Sequence, residues 1–62
     1  MIYSYIKQNS PDLNNIEESI LSTTISKYYS YLRWDKEDSQ LKVYLTQELS
    51  KEDKKILDKI IG

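Results

Sequence analysis

Residues 28–45 read YYSYLRWDKEDSQLKVYL, and this stretch decides the fold. Apolar and polar side chains alternate with a period of two on both sides of a polar connection at residues 35–39. This pattern predicts two β-strands joined as a hairpin. The connection contains no glycine, so we expect a loop built on a type I turn and not a type I′ turn. The apolar face of the hairpin is predicted to consist of Leu32, Trp34, Leu41, Val43 and Leu45.

An amphipathic helix follows the hairpin. Ser50 is a typical N-cap residue, and Asp53 stands at the third helical position, where a capping box has a Glu or Gln. Apolar residues then recur at helical spacing, which predicts a helix over residues 50–61 with one face turned towards the core. That face carries Ile56, Leu57, Ile60 and Ile61.

The first third of the chain shows the same two periodicities. Residues 2–7 alternate, which predicts a half-buried strand with Ile2, Ser4 and Ile6 on one side and tyrosines on the other. A helix is predicted over residues 13–22, where apolar side chains return at helical spacing. Its apolar face carries Leu13, Ile16, Ile20 and Leu21. Two N-caps fit the sequence, either Ser10 followed by Pro11, or Asn14 with Glu17 three residues later.

These patterns predict a single small α+β domain over residues 1–62, in the order β-α-β-β-α. Only one face of each strand is strongly aliphatic, so both helices should cover the same face of a three-stranded sheet. The strand order stays open; if the first two strands are parallel, the first helix is their crossover. The strands are expected at residues 2–7, 27–34 and 40–46, and the helices at 13–22 and 50–61. The shared core is predicted to comprise Ile16, Ile20, Leu32, Val43, Leu45, Leu57 and Ile60.

Composition limits the chemistry. The chain has nine basic and ten acidic residues, a net charge of -1, and neither histidine nor cysteine. The commonest general base and the best nucleophile are therefore missing, and we expect no catalytic residues, no metal site, no cofactor and no small-molecule substrate. No basic block could follow a phosphate backbone, which disfavours nucleic acid as a partner. Residues 1–7 are too short and too polar for a signal peptide or a membrane span, so we expect no membrane partner. Because the sequence begins with Met1 and carries no tag, we expect a complete small gene product.

The face of the sheet opposite the helices is the predicted interaction face. If the registers above hold, five of the six tyrosines project from it, beside basic side chains. One interpretation is β-propensity alone, because tyrosine suits a sheet and its hydroxyl tolerates water. A second is a protein interface, where Tyr and Arg are typical anchors, and a third is base stacking on a single strand. The predicted interaction face consists of Tyr3, Tyr5, Tyr29, Tyr31, Arg33, Lys42 and Tyr44.

The second half of the chain contains four segments in a familiar arrangement. They are YLRWD at residues 31–35, LKVYL at 41–45, ELSKED at 48–53 and ILDKII at 56–61. Together they resemble small proteins encoded by tailed bacteriophages and related environmental viruses, in which a strand ends near Trp/Phe-Asp, an alternating strand returns, and Leu-Ser-x-Glu-Asp opens a final helix. The resemblance implies a virion-associated or accessory role. It assigns no functional residue, because the shared positions are structural.

We therefore expect a non-enzymatic viral (phage) accessory or virion-associated protein, located in the virion or the host cytoplasm. It should act by self-assembly or by binding a larger viral protein. A homo-oligomer is favoured because a chain of 62 residues without disulfides or a zinc site has little core of its own. The alternative function is a small nucleic-acid-binding regulator that uses the tyrosine-rich face. Salt discriminates between the two, since binding to a phosphate backbone weakens steeply as salt rises.

Overall fold

A computed structural model, which describes all of residues 1–62, contains a three-stranded antiparallel sheet and two α-helices. The predicted α+β class and the order β-α-β-β-α are confirmed, with one short 3₁₀ helix added before the second strand. The elements are β1 (Ile2–Ile6), α1 (Leu13–Leu21), the 3₁₀ helix (Thr24–Tyr28), β2 (Tyr29–Asp35), β3 (Gln40–Leu45) and α2 (Lys51–Ile61).

The strand β3 lies in the middle of the sheet. It pairs antiparallel with β2 through the hairpin and antiparallel with β1 on its other side, giving the order β1-β3-β2. The strands β1 and β2 therefore run in the same direction but do not touch, because β3 separates them. The connection through α1 crosses β3. As a result β1, the first element of the chain, pairs with β3, which comes much later in the sequence.

The core lies between the sheet and the two helices. Of the predicted core residues, Leu32 and Ile60 are only half-buried. Leu32 lies on the edge strand β2, which has a neighbouring strand on one side only. In α2, Leu57 and Ile61 are four residues apart and share the buried face, which leaves Ile60 at its border. The buried residues are Ile16, Ile20, Ile25, Leu41, Val43, Leu45, Leu49, Leu57 and Ile61.

Local hydrogen bonds fix the helix boundaries. Neither predicted cap of α1 is used; Asp12 is the N-cap, and its Oδ1 accepts from the Asn15 backbone N–H at 3.1 Å. The predicted Ser50 cap of α2 is confirmed, with its Oγ accepting from the Asp53 N–H at 3.2 Å. Thr23 caps the 3₁₀ helix, which turns the fully buried Ile25 into the core. Residues 27 and 28 belong to this turn, so the predicted start of the second strand was two residues too early.

The hairpin loop spans residues 36–39, and hydrogen bonds to Asp35, the last residue of β2, stabilise it. The Asp35 carboxylate accepts from the backbone N–H groups of Glu37 at 3.1 Å and Asp38 at 3.4 Å. Ser39 completes the turn with a φ of 53°, in the left-handed region that residues other than glycine rarely adopt. The loop therefore stores backbone strain at one identifiable residue.

The variant Ser39→Gly should raise the free energy of unfolding by about 0.5–1 kcal/mol, because glycine adopts a positive φ without the steric cost of a Cβ. Urea denaturation measures the change. Asp38→Gly is the matched control, since position 38 does not have a positive φ and the added flexibility of the unfolded chain should lower stability. Equal effects of the two variants would contradict the strain assigned to Ser39.

Candidate interaction surface

Cross-strand pairing separates the face of the sheet that packs on the helices from the face that does not. Tyr3 lies opposite Val43 and Tyr5 opposite Leu41, and both partners on β3 are fully buried. Tyr3 and Tyr5 therefore point towards the helices, and their predicted place on the far face was wrong. Alternation along a strand defines two faces but does not say which is buried, and the opposite choice moves every side chain.

The hydroxyls of Tyr3 and Tyr5 explain this orientation. The Tyr3 hydroxyl oxygen accepts from the Leu49 backbone N–H at 2.9 Å, and the Tyr5 hydroxyl donates to the Asp58 carboxylate at 2.7 Å. The Lys54 ammonium lies 5.3 Å from the centroid of each ring and also donates to Asp58. A tyrosine at the rim of a core buries its ring while its hydroxyl reaches a polar partner.

The contact between Tyr5 and Asp58 shifts the pKa of both groups. Burial raises the pKa of the Tyr5 phenol, and the hydrogen bond to the Asp58 carboxylate raises it further. The Lys54 ammonium, followed by the Tyr5 hydroxyl, holds the pKa of Asp58 below its usual range. The contact therefore favours a neutral phenol beside a charged carboxylate.

A β-bulge places Tyr29 on the helix side as well. Tyr29 lies opposite Leu45 and Tyr31 opposite Tyr44, so β2 advances two residues while β3 advances one. The extra residue, Ser30, breaks the alternation on which the predicted face relied, and the placement of Tyr29 there was wrong. The Tyr29 hydroxyl donates to the Glu17 carboxylate at 2.5 Å. Burial, followed by this hydrogen bond, raises the pKa of the Tyr29 phenol.

The far side of the sheet, here called the open face, brings together four of the seven predicted residues. Tyr31, Arg33, Lys42 and Tyr44 lie on it, because they alternate along β2 and β3 with residues that face the core, such as Leu32 and Val43. Five residues that were not predicted complete it: Ile2, Ser4 and Ile6 from β1, Asp35 from β2 and Gln40 from β3. The open face consists of three rows across the sheet: Ile2, Tyr44 and Tyr31; Ser4, Lys42 and Arg33; and Ile6, Gln40 and Asp35.

Sequence reasoning missed Ile2 and Ile6 as members of the open face. Their side chains are 49% and 79% exposed, and Tyr31 is 49% exposed. The period-two pattern could not find them, since an aliphatic residue is normally assigned to the buried side. The available signal was the opposing pair of tyrosines, whose hydroxyls suit the rim of a core better than isoleucine does. The result is an exposed aliphatic surface on the edge strand.

Tyr31 and Tyr44 form an aromatic pair on the open face. Their ring centroids are 4.2 Å apart and the ring planes differ by 8°, which describes a stacked cross-strand pair. Such pairs contribute about 0.5–1.5 kcal/mol beyond the area they bury. Stacking restricts the rotation of both rings, which lowers the side-chain entropy that they lose when a partner binds.

The charges of the open face are only partly neutralised within the chain. The Lys42 ammonium lies 3.6 Å from the Asp35 carboxylate. The N–H of Asp38 is the main cause that lowers the pKa of Asp35, with that of Glu37 and the nearby Lys42 contributing. Arg33 is exposed and forms no ion pair within 4 Å. Its guanidinium is thus free to donate to a partner.

Other parts of the surface offer less. An open groove of about 570 Å³ lies beside α2, and two of its polar side chains already serve the fold: Lys7 donates to the Ile61 carbonyl, and Asp12 caps α1. No three metal-ligating side chains come together anywhere in the chain. Neither helix has the length and apolar character to cross a bilayer.

Comparison with known proteins gives no matching family, no matching characterised protein and no matching solved structure.

Proposed function

We propose that this protein is a non-enzymatic assembly protein that binds a second copy of itself, or a larger protein, through the open face. The observation that carries the proposal is one cross-strand row in which exposed Ile2 lies beside the stacked rings of Tyr44 and Tyr31. Contiguous exposed apolar area of this kind is typical of interaction sites on small soluble proteins. Tyr and Arg are also the residues most often found as interface anchors, and Arg33 adjoins this row.

The resemblance of residues 31–61 to small proteins of tailed bacteriophages supports a more specific form of the proposal. In that form the chain is a virion-associated or accessory viral protein, and its larger partner is another viral protein. The open face suits such a role because it exposes aliphatic and aromatic side chains and contains no histidine or cysteine. A location in the virion or the host cytoplasm belongs to the same proposal.

A nucleic-acid-binding regulator is the less well supported alternative. Arg33 beside Tyr31 favours it, since bases stack on aromatic and guanidinium planes. Against it, Lys42 is already close to Asp35, the two tyrosine rings stack on one another, and the net charge is -1. Binding to single-stranded oligonucleotide that falls steeply with salt would support this alternative over protein assembly.

Light scattering over a range of concentrations tests the proposal directly. The wild type should show a mass above the 7.4 kDa of one chain, rising with concentration. Tyr31→Ala combined with Tyr44→Ala should raise the apparent dissociation constant by at least about tenfold, because both aromatic rings of the face are lost.

Two matched controls separate the rings from their side effects. Tyr31→Phe with Tyr44→Phe keeps the stack and should associate like the wild type. Lys51→Ala with Lys55→Ala removes exposed charges from α2 and should also leave the mass unchanged. A wild type that stays monomeric at high concentration would contradict self-assembly. If Tyr31→Ala with Tyr44→Ala kept the wild-type mass, the open face would not be the surface that joins the copies.

A further inference from the structure

The outer edge of β1 has no neighbouring strand. Its opposite edge pairs with β3, and the end bonds of that ladder reveal the alternation: the Met1 carbonyl accepts from the Leu45 N–H at 2.8 Å, and the Lys7 N–H donates to the Ser39 carbonyl at 2.9 Å. In an antiparallel pair, residues that exchange hydrogen bonds alternate with residues that do not. The odd-numbered residues therefore bond to β3. The backbone N–H and C=O groups of residues 2, 4 and 6 point away from the sheet.

The two edges of the sheet are protected differently. The edge strand β2 has a bulge at Ser30 and the charged residues Arg33 and Asp35, features with which proteins discourage pairing by another strand. The strand β1 has no charge, no proline, no glycine and no irregularity in its pairing. Only one of the two edges is thus open to a further strand.

The sequence of β1 is a palindrome. Residues 2–6 read Ile-Tyr-Ser-Tyr-Ile in either direction. Two such strands placed antiparallel with Ser4 opposite Ser4 match at every position: Ile2 faces Ile6, and Tyr3 faces Tyr5. The match is symmetric, as a two-fold axis through Ser4 requires.

We propose that two copies of this chain pair through β1, antiparallel about Ser4, and form one continuous six-stranded sheet. The register that the palindrome selects is also the one that the backbone permits. It pairs residue 2 with 6, 4 with 4 and 6 with 2, and these are the residues whose N–H and C=O groups point outward. Each pair exchanges two hydrogen bonds, about six in all.

This dimer goes beyond the proposed function, because it uses the edge of the sheet and not its open face. It also joins the two open faces side by side. Ile2 of each copy comes to lie beside Ile6 of the other, so two exposed aliphatic side chains cover one another on each side of the axis. Whatever binds the open face would then meet a surface of twice the width.

Amide hydrogen exchange of the wild type, followed by NMR, gives the first test. The Tyr3 and Tyr5 amides bond to β3 and should be protected at every concentration. The Ser4 amide should exchange rapidly in dilute solution and slow by at least about tenfold when the chain dimerises. A dimer whose Ser4 amide still exchanges freely would overturn the proposal.

A proline substitution gives the second test. Ser4→Pro removes an outward N–H without breaking the ladder to β3, and edge strands tolerate proline at such positions. Both copies lose a hydrogen bond across the axis, so the dissociation constant should rise by about 10-fold to 100-fold. Ser4→Thr keeps the N–H and should dimerise like the wild type. An unchanged dissociation constant for a folded Ser4→Pro variant would overturn the proposal.

Charge exchange at Ile2 and Ile6 tests the register. Ile2→Lys with Ile6→Lys places like charges opposite one another across the axis and should abolish dimerisation. Ile2→Lys with Ile6→Glu carries the same number of charges on the open face but places opposite charges together. Its dissociation constant should therefore be at least about tenfold lower than that of Ile2→Lys with Ile6→Lys. Equal dissociation constants for the two variants would overturn the antiparallel register. Since Tyr31→Ala with Tyr44→Ala leaves β1 intact, Ser4 protection in that variant separates edge pairing from association through the open face.

Discussion

The variant Leu57→Ala should lose about 2–5 kcal/mol of unfolding free energy, the largest loss we expect from a single substitution. The Leu57 side chain is fully buried on α2, in the same core cluster as Leu41 and Val43 of β3. Truncation removes its apolar contacts and leaves a cavity that the surrounding side chains fill only in part. A domain of this size has only about 5 kcal/mol of stability, so the variant should be substantially unfolded at physiological temperature. Thermal and urea denaturation followed by circular dichroism measure the loss.

Leu21→Ala is the matched control for Leu57→Ala. It removes the same atoms from a helix, but Leu21 is 51% exposed, and alanine is the better helix former. Its free energy of unfolding should stay within about 0.5 kcal/mol of the wild type. If Leu57→Ala left the melting temperature unchanged, the orientation of α2 on the sheet would be wrong.

Alkaline solution should unfold the protein through Tyr5 and Tyr29. Both phenols have a folded-state pKa above the ordinary value of 10.0, because each is partly buried and donates to a carboxylate. The folded state therefore holds these protons more tightly than the unfolded chain does. Their contribution is fully present below about pH 10 and is lost as the pH rises through the folded-state pKa. Urea denaturation at a series of pH values should show stability that is level at neutral pH and falls steeply above about pH 10.

Tyr5→Phe combined with Tyr29→Phe should remove most of that alkaline loss, since neither ring can then ionise. The comparison variant is Tyr31→Phe with Tyr44→Phe. In the wild type, the hydroxyls of these two tyrosines bond to no carboxylate in the chain. It should keep the wild-type dependence on pH. Ultraviolet absorbance of tyrosinate gives an independent measurement, because Tyr5 and Tyr29 should ionise only as the fold is lost. Ionisation of all six tyrosines in one step without unfolding would contradict the hydrogen bonds from Tyr5 to Asp58 and from Tyr29 to Glu17.

The hairpin and α2 could be predicted from the sequence because their signals are local. Leu41, Val43 and Leu45 alternate without a break and are all buried, and Ser50 is the only cap near the start of α2 that fits its apolar stripe. The cap of α1 was harder to predict, since three capping residues, Ser10, Asp12 and Asn14, compete within five positions. Asp12 is selected by the packing of Ile16 and Ile20, which the local sequence does not specify.

The orientation of β1 depended on partners far away in the chain. Tyr3 reaches Leu49, 46 residues later, and Tyr5 reaches Asp58, 53 residues later. No local pattern contains those contacts, and isoleucine and tyrosine suit a strand equally well. The bulge at Ser30 could not be predicted either, because it is a shift in the pairing of β2 with β3 and leaves no local pattern in the sequence. Half of the candidate surface therefore had to come from tertiary structure.

The central position of β3 has a consequence for how the chain is made. Met1 bonds to Leu45, 44 residues further on, whereas β2 and β3 meet across a short loop. Closing the longer loop costs more entropy, so the hairpin can fold locally while β1 docks late. At a synthesis rate of about 5–20 residues per second, β1 is synthesised roughly 2–9 s before its partner strand. During those seconds an uncharged, palindromic strand stands unpaired, and neighbouring nascent chains on one polysome would present one another with the same strand.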